Sequence, residues 1–216
     1  MALRLGIPTA SNMHKIVTPT GKLSTQARKY QYWLIAERLL GRSLDNLDNL
    51  EWVARGKELE PKAARMYEFE QGVSTTVVGF MTTDDGRIGA SPDRLVVGAP
   101  GLLEIKVPAP QNHIAYMVDG FGSDYFVQVQ GQLLVADDRE WVDRYSYSDE
   151  MPPYQERTYR DMPFVRKLGD ALEEFNDQLA AMLERVRALG AFDTSRPVSP
   201  VDAAYDPISE QVEYFQ

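Results

Sequence analysis

The stretch "GASPDRLVVGAPGLLEIKVP", residues 89–108, holds two short apolar runs on either side of a Gly-Ala-Pro-Gly turn. Aliphatic and β-branched runs bounded by Gly and Pro read as strands, so the stretch predicts a β-hairpin. Side chains alternate faces along a strand. Glu104 and Lys106 therefore share one face of the second strand, while Leu103, Ile105 and Val107 take the other. A turn centred on Ala99-Pro100 sets Val97 opposite Leu102 and, by the antiparallel register, Asp93 opposite Lys106. Asp93, Glu104 and Lys106 then lie together on one face of adjacent strands.

That grouping has a chemical meaning. Two carboxylates held close repel each other unless a cation sits between them. A divalent metal with hard oxygen ligands removes the cost. A neighbouring ammonium can position or help deprotonate a metal-bound water and can stabilise charge developing on a phosphate. The pattern suits metal-assisted phosphodiester hydrolysis. A buried Glu104–Lys106 ion pair with Asp93 capping a turn would leave the same spacing.

Around the hairpin, the period changes. Residues 24–41 show helical periodicity through Ala27, Tyr30 and Leu34, with Ser24 as a candidate N-cap and Gly41 as the stop. Residues 57–72 predict a second helix with Pro61 in its first turn and Gly72 closing it. From residue 73 to residue 108 the chain reads as a meander of three or four strands. Residues 124–137 fit helix or strand, and residues 140–149 fit a strand. Residues 163–189 form a long amphipathic helix with Phe164, Leu168, Leu172, Phe175, Leu179 and Leu183 on one stripe. This order predicts an α/β fold, a central sheet flanked by helices, in one domain over residues 1–190. A Pro- and Asp-rich C-terminal tail follows over residues 191–216.

The composition is globular: 44% hydrophobic and 25% charged residues, with no cysteine. Disulfides, thiolate metal sites and iron–sulfur clusters are thereby excluded. No apolar run approaches the length of a membrane span. The two histidines, His14 and His113, are too few for a histidine metal cluster, and His14 reads as structural. Net charge is −9, yet residues 1–42 hold seven Lys/Arg (Arg4, Lys15, Lys22, Arg28, Lys29, Arg38, Arg42) against Glu37 alone. A polyanion could meet a local basic surface on an acidic body; chance clustering on a solvated face reads the same way.

Five blocks in order extend the hairpin signal: "RLGIPTASNMHKIV", "RGKELEPKAARMYEFEQGV", "GASPDRL", "LLEIKVPAP" and "YFVQVQGQLLV". Over roughly residues 4–180 the chain resembles the lambda exonuclease (YqaJ-type) viral recombinase family, a branch of the PD-(D/E)xK nucleases with a restriction-endonuclease-like core. The resemblance implies that Asp93 and Glu104 ligate Mg²⁺ with the backbone carbonyl of Ile105, and that Lys106 orients the attacking water. It implies that Glu60 serves a second metal or its waters, and that Gln128 supports the nucleophile or Lys106. Arg4 and Ser11 match the positions at which the family binds the 5′-phosphate of a DNA end, assisted by Ser91. Arg28 is counted with the DNA contacts. Arg94 replaces a frequent glycine; it adds a phosphate contact or points away on the opposite strand face.

Each residue also has a plainer reading. Glu60 would be favourable first-turn charge at a helix N-terminus, Gln128 a solvent-facing residue, and Ser11 an N-cap, itself compatible with anion binding.

The function so implied is a 5′→3′ exonuclease on double-stranded DNA ends that yields mononucleotides and a 3′ overhang. Two Mg²⁺ ions are implied, with Mn²⁺ as the alternative. The resemblance further implies a homotrimeric ring around DNA, a single-strand annealing protein as partner, and a phage- or prophage-encoded protein in the bacterial cytoplasm, away from membranes. Rival readings are an endonuclease on the same fold, a noncatalytic DNA-binding scaffold, and a structural metal-binding or protein-interaction domain.

Overall fold

A computed structural model describes residues 4–44 and 50–190. A 3₁₀ helix, Ala10–Lys15, is followed by α1 (Ala27–Leu40), α2 (Leu50–Gln71), β1 (Thr75–Val77), β2 (Met81–Thr82), β3 (Gly89–Ala90), β4 (Arg94–Val96) and β5 (Gly101–Lys106). Then come α3 (Pro110–Asp119), α4 (Ser123–Val135), β6 (Trp141–Ser146), β7 (Tyr154–Tyr159) and α5 (Met162–Ala188). The tail, 191–216, lies outside the described residues.

The fold is the α/β arrangement expected: a mixed five-stranded sheet in the order β1-β4-β5-β6-β7, flanked by helices. β5 and β6 run parallel and the other neighbours antiparallel, so the chain between β5 and β6 must cross over. α3 and α4 make that crossing. β2 and β3 form a separate hairpin tied to the N-terminal segment by a bond from Gly89 N to Pro8 O at 3.0 Å. The expected meander is thus divided, because β1 pairs with β4 rather than with β2.

The hairpin register differs from the expectation by two residues. Arg94 pairs with Leu103 and Leu95 with Leu102, which extends to Asp93 opposite Glu104. The cause is Gly98, which takes φ +75° and draws the turn back from Ala99-Pro100. A shift of two keeps every side chain on its face.

Three other expectations change. α2 starts seven residues before Lys57, so Pro61 lies inside it; burial of Ala63, Ala64 and Tyr67 against the sheet outweighs the bond that proline removes. Ser24 is not the N-cap of α1 but forms the preceding turn, accepting from Gln26 N at 3.2 Å. Residues 124–135 are helical, and α4 is buried from Val127 through Leu133, a pattern that hides the period. The long-helix stripe holds: all six of its apolar residues are buried in α5, and Asp161 caps it by accepting from Phe164 N at 3.0 Å.

The sheet is covered on both faces. Leu103 and Ile105 pack against Ala63, Ala64 and Tyr67 of α2. Leu102 packs against Val129 and Leu133 of α4. A third core joins the 3₁₀ helix to α1 and α5 through Met13, Tyr30, Leu34, Leu168 and Leu179. Gly131 of α4 makes this possible. A Cβ there would lie 2.3 Å from Met13 Sδ, so a larger residue would require the buried Met13 side chain to shift.

Candidate active site

β5 alternates Leu103 and Ile105 toward α2 with Glu104 and Lys106 toward α4. Glu104 is 4% exposed and its carboxylate is heavily bonded. Oε1 accepts from Lys106 Nζ at 2.6 Å and from Gln128 Nε2 at 2.6 Å. Oε2 accepts from Gln132 Nε2 at 2.5 Å. Gln128 and Gln132 are one turn apart on α4, so the helix presents two donors to one carboxylate. Gln132 escaped the sequence reading. Gln130, between them, turns away to bond Tyr159 O and Asp161 N.

Asp93 sits across the strand pair from Glu104, and its Oδ2 accepts from Ile105 N at 2.6 Å. The carbonyl of Lys106 accepts from Tyr147 N on the β6 side. Carbonyls alternate along a strand, so the Ile105 carbonyl faces the opposite side, where Asp93 lies. Burial, then the charge of Glu104, push the Asp93 carboxyl up to about 7, against the Ile105 bond and the charge of Lys106. Glu60 of α2 is close enough to push the same way, so its position is inside a helix beside the site rather than at a helix start.

Burial works against the Lys106 ammonium, but its pair with Glu104 outweighs burial and holds it charged well above the usual lysine range. Lys106 also sits over the Tyr125 ring, 5.3 Å from its centroid. It is therefore a fixed cation, suited to orienting water or phosphate and not to taking a proton.

The residues fit a divalent cation. A raised Asp93 facing Glu104 is a pair of carboxylates short of positive charge. Gln132 Oε1 is buried with no partner among the described residues, an acceptor suited to a water. No group of three or more His, Cys, Asp or Glu side chains is close enough to hold a metal among the described residues. A cation here would thus rest on Asp93, Glu104, the Ile105 carbonyl and water.

Arg4 and Ser11 line one cavity of about 660 Å³ with Thr9, Asn12, Trp33 and Arg42. Ser11 lies inside the 3₁₀ helix and Thr9 precedes it, so Ser11 is not the N-cap. Ser91 is exposed, two residues before Asp93. Arg94 takes the opposite strand face from Asp93, and its charge is felt by Glu68 of α2. Arg28 is not brought to this group: its Nε donates to Tyr32 Oη at 2.9 Å, and it borders a groove between α1 and α5. His113 is fully buried, bonded to Ser146 Oγ at 2.7 Å and Pro152 O at 2.9 Å, a packing role.

Comparisons with known proteins bear on the family and the fold. A family model described as the YqaJ-like viral recombinase domain matches residues 1–139. The chain is similar to the crystal structure of an alkaline exonuclease (LHK-Exo) from Laribacter hongkongensis, at 32% identity and a TM-score of 0.77, covering 88% of this chain and 96% of that one. The same relative in complex with dAMP gives 32% identity and a TM-score of 0.76, with the same coverage. A phage-related exonuclease from Haemophilus somnus 129PT shares the fold at 17% identity and a TM-score of 0.65, covering 82% of this chain and 96% of that one. No curated protein matches the chain.

Proposed function

This chain belongs to the YqaJ-like viral recombinase family and is a nuclease acting on DNA, and from that premise we propose a Mg²⁺-dependent 5′→3′ exonuclease on double-stranded DNA ends. The observation that carries the reading is one cluster around buried Glu104: Asp93 facing it, with Lys106 and Gln128 bonded to it. The relative's complex with dAMP supports mononucleotides as product.

Asp93, Glu104 and the Ile105 carbonyl would hold Mg²⁺, with Glu60 serving a second ion or its waters; Mn²⁺ is the alternative. Such a cation supplies Lewis-acid polarisation and an acidified water when bound. The chain's own residues do the rest. Gln128 and Gln132 fix the Glu104 carboxylate. Lys106 places a positive charge beside the attacked phosphate and orients the water. Arg4 and Ser11 anchor the 5′-phosphate in their cavity, which sets polarity: the next phosphodiester is cleaved, freeing one nucleotide and leaving a 3′ strand.

A homotrimeric ring fits the uneven charge, since a basic N-terminal segment lining a channel would confine DNA binding to the inside of an acidic body. A single-strand annealing protein would take the 3′ overhang, in the cytoplasm of the bacterial host of a phage or prophage. Among the described residues no helix is long and apolar enough to cross a membrane.

The test is a linear duplex with one 5′-phosphorylated and one 5′-hydroxyl end, incubated with Mg²⁺ or EDTA beside a closed circle. Mononucleotides released with Mg²⁺ from the phosphorylated end, and an intact circle, are expected. Cutting of the circle would move the protein to the endonucleases. Binding without any cleavage would make it a scaffold.

A further inference from the structure

Gln26, the N-cap of α1, and Lys29, Tyr30, Trp33 and Glu37 of α1 lie along one side at helical spacing. Opposite stand Asn12 and Lys15 of the 3₁₀ helix. Two clefts lie between these elements. The larger, about 660 Å³, holds Arg4, Ser11 and Arg42; the smaller, about 260 Å³, holds Lys15 and Lys29. Asn12, Tyr30 and Trp33 line both, so the clefts are one continuous trough.

Its electrostatics are one-sided. Among the described residues Glu37 is the single acid on its walls, and it is 6% exposed. Its carboxylate takes Gly6 N, Trp33 Nε1, Ser43 Oγ and Leu44 N, so its charge is used within the fold. What faces outward is a row of cations. Between the two clefts stands Trp33, 38% exposed, its indole fixed by the 3.2 Å bond from Nε1 to Glu37. A large aromatic held open to water and locked in orientation, flanked by Arg4 and Arg42 on one side and Lys15 and Lys29 on the other, has the pattern of a strand-binding groove. Every base has a face to stack, and the cations meet the phosphates.

We propose that this trough is a track for the complementary strand, in which Trp33 stacks on an unpaired base beside the bound 5′ end while Lys15 and Lys29 hold that strand's phosphates. The proposal rests on the nuclease reading and extends it from the anchoring pocket to the strand that is left uncut.

The experiment uses the full chain and a 5′-phosphorylated duplex in Ca²⁺, with binding followed by anisotropy and by tryptophan fluorescence. Trp33→Ala is expected to weaken binding about 5- to 100-fold and, in Mg²⁺, to raise KM more than it lowers kcat. Trp33→Phe keeps a stacking ring, so affinity returns toward wild type while Trp33's part of the DNA-induced quench is lost, leaving any share of Trp52 and Trp141; it also controls for misfolding. Lys15→Ala and Lys29→Ala each reduce the salt dependence of log affinity by about one. Binding within twofold of wild type for Trp33→Ala, or a quench undiminished in Trp33→Phe, overturns the track alone. Wild-type protein that binds no DNA overturns both this proposal and the nuclease reading.

Discussion

Ile105 donates its backbone N–H to the Asp93 carboxylate at 2.6 Å, where β4 begins and the ladder to β5 opens. The bond closes the splayed end of the hairpin with a side chain in place of a strand. It also turns one edge of β5, with the Ile105 carbonyl, toward the carboxylate that a cation would share.

Lys106→Ala removes the charge that pairs with Glu104. Turnover on duplex DNA in Mg²⁺ is expected to fall about 10²- to 10³-fold, the scale of losing one fixed charge stabiliser. Binding in Ca²⁺ should change far less, because Arg4 and Ser11 sit in a separate cavity. Single-turnover rates beside equilibrium binding measure both.

Gln132→Leu leaves Glu104 Oε2 without its donor. Gln132 is a positioning residue, and loss of such a support lowers metal affinity about 10- to 100-fold. Isothermal titration with Mn²⁺ reads this without catalysis. Gln130→Leu, whose partners are Tyr159 and Asp161, should leave Mn²⁺ affinity unchanged.

Asp93 makes metal-free stability fall with pH. Its carboxyl rises from an ordinary 3.8 to about 7 in the fold, so the folded protein holds the proton more tightly than the unfolded chain does. Its contribution is fully present below pH 3.8 and is lost as pH rises through 7. Thermal melts in EDTA from pH 4 to pH 8 should show this decline, and Asp93→Asn should remove Asp93's share of it. Mg²⁺ should raise the wild-type midpoint most above pH 7.

Gly131→Ala drives a methyl group into fully buried Met13. Overpacking of this kind costs about 1–3 kcal/mol. A lower denaturation midpoint is expected, together with weaker binding of 5′-phosphorylated ends if Met13's shift disturbs the 3₁₀ helix that carries Ser11.

The site was legible from sequence to the extent that its geometry has a period of two. Asp93, Glu104 and Lys106 stay on one face whether the turn sits at Ala99-Pro100 or at Gly98, so an error of two in register did no harm. Gln132 was hidden for the opposite reason. As a strand, residues 124–137 would put Gln128, Gln130 and Gln132 on one face; only the helix separates Gln130 from the other two.

β7 was missed because "YQERTY" looks like a solvated segment. Its charges are in fact matched across the sheet: Arg157 lies opposite buried Asp143, and Glu156 opposite buried Arg144. One strand read alone cannot show that. Pro61 misled in the same way, since burial that comes from the sheet is invisible to a local helix rule.

β5 is the middle strand of the five. Edge strands such as β1 and β7 open first when a sheet frays, while a central strand exchanges its amides only when the whole domain opens. The reactive groups on β5 are therefore protected by every neighbour at once. A preparation warmed until its edges loosen would keep Glu104 and Lys106 in place until the domain itself opens.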